Sequence, residues 1–186
     1  MRTFRMTAIL FLLLFAGGSV FGQTGKAQEY RAKARFLAAF PNFVEWPDTA
    51  FESQKAAFVI CVLGDFPFGT SLAELTRDAN IRGRRVEVRW ARNAQGLRGC
   101  QILFLSRSEA PRYGQVFKAI EGASILTVGE TPDFLAFGGA VDLFFDGDRL
   151  RFDVNLSAAE QAHLTISSRM LALAQHVASG TMPVRN

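Results

Sequence analysis

Along this chain the apolar residues change their period from segment to segment, and each change marks an element. From Lys26 to Ala39, Tyr30, Ala34 and Leu37 share one face with Lys33 nearby on another, which predicts an amphipathic helix ended by Pro41. Ala57 to Leu63 is an unbroken apolar run closed by Gly64-Asp65, the pattern of a strand buried on both faces, hence central and parallel. A turn from Pro67 to Thr70 leads into a helix from Ser71 to Arg77. Val86, Val88 and Trp90 then alternate with Glu87 and Arg89 in a second strand, after a basic turn from Ile81 to Arg85 whose arginines are expected to face water. Cys100 to Leu105 and Ser124 to Gly129 are two more buried strands. A helix from Pro111 to Ile120 lies between them, and one helical turn, Phe134 to Phe137, follows.

Strict alternation returns after Gly138-Gly139. Val141, Leu143 and Phe145, then Leu150, Phe152, Val154 and Leu156, predict a β-hairpin with one buried face. With Asp146-Gly147 as a type I′ turn, Asp142 stands opposite Arg151 and Phe144 opposite Arg149. The alternative loop, Gly147-Asp148, sets Asp142 against Asp153, two like charges, so the first register is preferred. Asp142, Asp146, Asp148 and Asp153 are read as solubilising groups on an exposed strand face and turn. Ser157 with Glu160 fits a capping box, and Ile166, Met170, Leu173 and Val177 then predict a core-facing C-terminal helix before a frayed tail from Gly180. Strands alternating with helices give an α/β layered sandwich. Its sheet is mixed and mostly parallel, with an antiparallel hairpin at one edge and helices on the faces.

The first residues stand apart from this pattern. Arg2 and Arg5 precede an apolar run from Ile9 to Phe15 and then small residues, which reads as a secretory signal peptide cleaved after Gly22. The run is too short to span a bilayer, and no later segment is apolar enough to insert. The remaining 164 residues suit a single domain, residues 23–186. The formal charge of +4 falls to +2 when Arg2 and Arg5 leave, too small a bias to argue for nucleic acid.

Export changes the meaning of the two cysteines, Cys61 and Cys100. In an oxidising compartment a disulfide is the first expectation, stabilising the fold by about 3–4 kcal/mol in the chain-entropy model. The pair lacks the Cys-x-x-Cys spacing of catalytic thiols, which favours a staple over a redox switch. Catalysis finds no candidate set. His163 and His176 lie in no metal-ligand spacing, no Gly-x-Ser-x-Gly elbow is present, and neither a metal nor a cofactor is expected. Phe40, Phe43 and Trp46 are read mainly as core packing, with the lining of a ligand pocket as the functional alternative.

Several stretches, taken in order, resemble the YfiR/HmsC-like family of exported bacterial proteins. They are Phe40 to Pro47 with its terminal Trp-Pro, Cys61-Val-Leu-Gly-Asp65, Cys100-Gln-Ile-Leu-Phe104, Leu126-Thr-Val128, Gly138-Gly139, Arg151-Phe-Asp-Val-Asn155 and Leu164 to Ala174. The resemblance implies a periplasmic α/β regulator. Such a protein binds the periplasmic sensor region of an inner-membrane diguanylate cyclase and holds it inactive, which lowers cyclic di-GMP and biofilm formation. It also implies a Cys61–Cys100 disulfide, and partner contacts around Val141, Asp153 and Ala159. A second cysteine pair found near the hairpin in some members is replaced here by Leu135 and Asp142. The rival expectation is a periplasmic small-molecule binder with Phe40, Phe43 and Trp46 along its pocket. Pairing of exposed strand edges would make a homodimer.

Overall fold

The computed structural model describes residues 20–180. The expected leader lies almost wholly outside them, as does the tail beyond Gly180. Helix α1, Val20–Ala39, ends where Pro41 enters a 3-10 turn, Phe40–Asn42. A short strand β1, Val44–Glu45, follows, and then β2, Phe58–Leu63, buried along its whole length. Next come α2, Ser71–Thr76; β3, Asn80–Ile81; and β4, Arg84–Ala91. Strand β5, Ile102–Leu105, leads through a 3-10 segment to α3, Tyr113–Ala119, and β6, Leu126–Gly129.

The last third of the chain contains the hairpin, β7, Val141–Asp146, and β8, Arg149–Asn155. It closes with α4, Leu156–Gln161; β9, Thr165–Ile166; α5, Ser168–Leu171; and β10, Val177–Ala178.

Eight strands form one sheet in the order β10-β8-β7-β6-β5-β2-β4-β3, and β1 pairs with β9 outside it. Strand β2 is central, parallel to both β4 and β5. Parallel pairing continues through β6 to β7, and the hairpin supplies the antiparallel pair near one edge. The alternation within each strand builds two cores. Phe58, Ile60 and Val62 of β2 face Tyr30, Ala34 and Leu37 of α1 and Leu72 of α2, whereas Val59, Cys61 and Leu63 face Tyr113, Val116 and Ile120. The architecture is therefore the expected α/β sandwich. Each large apolar side chain fully buried in it contributes about 1.5–3 kcal/mol.

The disulfide joins Cys61 to Cys100 with Cα atoms 5.8 Å apart. Cys100 lies in the turn before β5 rather than within that strand. Next to it the buried Gln101 ties three segments together: its amide accepts from Val59 N–H and donates to Ala50 O, and its carbonyl accepts from Trp46 Nε1. The Phe134 ring is enclosed between Gly129 and Gly139. A Cβ built on either glycine would fall 2.2–2.3 Å from a ring atom, so neither position admits a side chain.

The hairpin register differs from the expected one. Asp142 pairs with Asp153, Phe144 with Arg151 and Asp146 with Arg149, leaving Gly147-Asp148 as the loop. Gly147 has φ +58°, and Asp148 is not among the residues with positive φ, as a type II′ turn requires. An Asp146-Gly147 type I′ turn would put Asp146 at positive φ as well. Asp142 and Asp153 are buried, not solvated.

Three further expectations give way. The C-terminal helix is cut down to the single turn α5, because the segment on either side spends its backbone groups elsewhere: Ser167 N–H donates to Phe43 O, Gln175 N–H to Phe152 O, and His176 O accepts from Val154 N–H. Leu173 and Val177 are consequently exposed. Helix α4 starts two residues earlier than expected, with Asn155 rather than Ser157 as its cap, the Asn155 side chain accepting from Ala158 N–H. Lys33 is buried on the same face of α1 as Tyr30, Ala34 and Leu37, held by Glu130 and Glu29.

The basic turn also departs from expectation in part. Arg84 donates to Ser53 O and Ala56 O and stacks on Phe51 with its guanidinium 3.9 Å from the ring centroid, while Arg82 and Arg85 stay exposed.

Candidate functional site

The hairpin edge is assembled from three parts of the chain. Strands β7 and β8 present Val141, Leu143, Phe152 and Val154 to the core beneath α1. Strand β10 adds to the outer side of β8 in parallel, pairing Val177 with Val154 and Ala178 with Asn155. Asn155 works at a junction here: its N–H donates to Ala140 O while its side chain caps α4.

Asp153 adds a side-chain anchor to the backbone pairings that hold the C-terminal segment in place. Its Oδ1 accepts from the backbone N–H of His176 at 3.0 Å and meets the ring Nδ1 of the same residue at 3.0 Å. When that ring nitrogen carries the proton, one carboxylate oxygen receives two hydrogen bonds from one residue, and charge assistance makes both strong. The side chain of His176 is otherwise exposed.

Of the residues expected at a partner surface, Val141 is 0% exposed, Asp153 4% and Ala159 1%. The fold brings them to one corner, where β7, β8 and α4 meet, but none offers a side chain to solvent. The exposed groups of this edge include Phe145, Asp146, Asp148 and Arg149 at the hairpin tip and Leu173, His176 and Val177 beside β8. Sequence reasoning missed Leu173 and Val177 as surface residues because their spacing fits a helix.

A buried charge cluster stands at the C-terminal end of β6. Glu130 Oε1 accepts from Tyr30 OH at 3.0 Å and from Arg107 N–H at 3.0 Å, and the second oxygen meets Lys33. Burial, with the Glu130 carboxylate beside it, pushes the Tyr30 hydroxyl well above its ordinary pKa. Burial likewise raises Tyr113, to about 12, against the opposing effect of its bond to Thr131. These groups are mutually satisfied and tie α1 to the sheet.

The aromatic triplet divides. Phe40 is buried against Phe36 and Phe152, and Phe43 packs on the same core. Trp46 alone of the three lines a cavity, of about 160 Å³, with Phe51, Phe58, Arg82 and Arg84. Among the described residues no group of three or more histidine, cysteine or acidic side chains is placed to hold a metal ion.

Two solved structures share the fold at low identity. One is a conserved domain protein from Vibrio cholerae O1 biovar El Tor, 15% identical with a TM-score of 0.52. The other is an ABC domain in complex with L-Trp from Streptococcus pneumoniae, 12% identical with a TM-score of 0.53. Each match covers 80% of this chain and 60% of the other, so this chain spans about three fifths of their length. The profile of one protein family, described as YfiR/HmsC-like, matches residues 30–175, which takes in the second half of α1, every strand of the sheet except β10, and the hairpin. On that match the chain belongs to the YfiR/HmsC-like family.

Proposed function

We propose that this protein is a periplasmic regulator that binds the periplasmic sensor region of an inner-membrane diguanylate cyclase and holds the enzyme inactive, lowering cyclic di-GMP output and biofilm formation. Family membership carries the coarse part of this reading, since YfiR/HmsC-like proteins are a periplasmic regulatory family associated with diguanylate cyclase control. Among the described residues no helix is long and apolar enough to cross a membrane. The finer part rests on the hairpin edge. Leu173 and Val177 are exposed apolar side chains there, and β10 is the terminal strand of the sheet. Such an edge suits a partner that adds a strand or packs an apolar patch. In this reading Val141, Asp153 and Ala159 act from within, by holding β8, β10 and α4 in the arrangement the partner meets.

Affinity capture of the tagged protein from cross-linked cell envelopes tests the proposal. Recovery of a membrane protein carrying a cyclase domain, lost with Val177→Asp, is the expected result. Capture of no such protein overturns it.

The aromatic cavity at Trp46 supports a second reading, a periplasmic small-molecule binder, because aromatic walls with charged groups of both signs beside them, Arg82, Arg84 and Asp48, suit a small polar ligand. Quenching of Trp46 emission by a metabolite extract would favour it, and a flat titration up to millimolar ligand would count against it.

A further inference from the structure

Between Arg77 and Arg112 the chain carries nine arginines, no lysine and three acidic residues, whereas the rest of it after residue 22 carries 14 acidic and 10 basic side chains. The small net charge hides this polarity. The sheet order sets the arginine-rich β4 near one edge and the hairpin, whose Asp146 and Asp148 are matched by Arg149 and Arg151, near the other.

The fold also gathers five of these arginines along one edge, three toward one face of β4 and two at the adjoining C-terminal end of the sheet. Arg89 is the register partner of Cys61, so Arg85 and Arg89 project from β4 on the face that bears the disulfide. The Cys61–Cys100 bond draws the loop carrying Arg98 toward the same face. Arg92 lies over the indole of Trp90, 5.0 Å from the centroid, and lines with Arg112 an open cleft at the C-terminal ends of β2 and β4, which Asp65 and Glu109 line as well. All five are exposed. Arg85 and Arg112 have Glu87 and Glu109 as partners, while Arg89, Arg92 and Arg98 form no ion pair among the described residues.

We infer that this arginine-rich edge, with Trp90 projecting from the opposite face of β4 and reaching the C-terminal end of the sheet, where its Nε1–H meets Gly64 O, binds the anionic phospholipid surface of a bilayer. The guanidinium fork matches a phosphate diester better than an ammonium does, and this segment uses arginine throughout. The arginines are spread over a face and the adjoining end of the sheet rather than converging on one point, which suits many headgroups and not a single bound phosphate. Trp90 is 51% exposed with its Nε1–H already donated to Gly64 O, so the ring offers an apolar surface where an interfacial tryptophan would sit.

One consequence rests on the cyclase reading; the lipid binding does not. Four strands separate β4 from β8, so five spacings of about 4.8 Å hold the hairpin edge roughly 24 Å from the arginine face. A bilayer-bound protein would present that edge at a set height to the sensor region of a membrane enzyme.

The test is co-sedimentation of the processed protein, recovered from the periplasm of expressing cells, with vesicles of phosphatidylcholine alone or with added phosphatidylglycerol. Preference for the anionic vesicles by at least about tenfold is expected, weakening with salt and accompanied by a blue shift of Trp90 emission. Arg89→Gln and Arg92→Gln should each cost about fivefold, while Asp146→Asn at the hairpin tip changes nothing. Circular dichroism and an intact disulfide show that the variants remain folded. Equal uptake by both vesicles, or none by either, overturns the inference. Capture by immobilised poly-glutamate without vesicle binding also overturns it and assigns the face to an acidic protein. None of these results depends on whether a cyclase is captured.

Discussion

Asp142 and Asp153 stand directly opposite each other in the β7–β8 hairpin, both buried, with Asp153 Oδ1 bonded to His176. The pairing that charge alone disfavours is the one the chain adopts. It survives because an acceptor at position 153 anchors the C-terminal segment, which in turn covers the outer side of β8.

Removing that acceptor should loosen the segment without unfolding the sheet. Asp153→Ala takes away charge-assisted bonds worth about 1.5–3 kcal/mol. Amide exchange at residues 175–178 should quicken by about tenfold or more, with little change in β2 or β5. Unchanged exchange there would show that Asp153 is no anchor.

The Lys33–Glu130 pair gives a larger effect. Lys33→Met leaves a buried carboxylate without its cation and should cost about 3–5 kcal/mol in urea unfolding. Adding Glu130→Gln should recover part of the loss, because a neutral amide oxygen still accepts from Tyr30 OH and Arg107 N–H. A double variant as unstable as the single one would argue against this account.

Alkaline stability follows from the tyrosines. The folded pKa of Tyr113 is raised from 10.0 to about 12, so its contribution is fully present below pH 10 and is lost as pH rises toward 12. Two pKa steps correspond to about 3 kcal/mol. Tyr30 shifts the same way. Denaturant midpoints should therefore fall steeply above about pH 10, and Tyr113→Phe should make that fall shallower at the cost of the Thr131 bond.

Glycine 139 is required by its neighbour rather than by a turn. Gly139→Ala should destabilise the fold by about 1–3 kcal/mol through overpacking on Phe134. Combining it with Phe134→Leu should cost less than the two changes summed, a coupling that thermal unfolding of all four proteins would measure.

Loss of the disulfide, by reduction or by Cys61→Ser with Cys100→Ser, should lower stability by about 3–4 kcal/mol for a closed loop of this length. Vesicle binding would weaken too if the bond places Arg98.

Much of this fold is legible in the order of residues alone. The apolar run of Phe58–Leu63 announces a central strand, and the periodicity of α1, the strand-helix alternation and the cysteine pair announce the sandwich and its staple. These are local signals, because burial of a strand or helix face needs only the right period. Even Lys33 falls at helical spacing with Tyr30, Ala34 and Leu37, and its charge is what argued against burial. Its acceptor, Glu130, is 97 residues away.

The hairpin register and the fate of residues 164–178 were decided by the tertiary structure. The faces of β7 and β8 are the same in either register, so hydrophobic patterning does not choose between them, and local charge pairing favours the wrong one. The choice falls to the turn conformation at Gly147 and to the contact of Asp153 with His176. Likewise the C-terminal stripe has helical spacing, yet Phe43 O, Phe152 O and Val154 N–H draw its backbone into strand pairings. Periodicity thus determined what each segment can bury. Which backbone and carboxylate partners it finds depended on groups brought close only by the folded sheet.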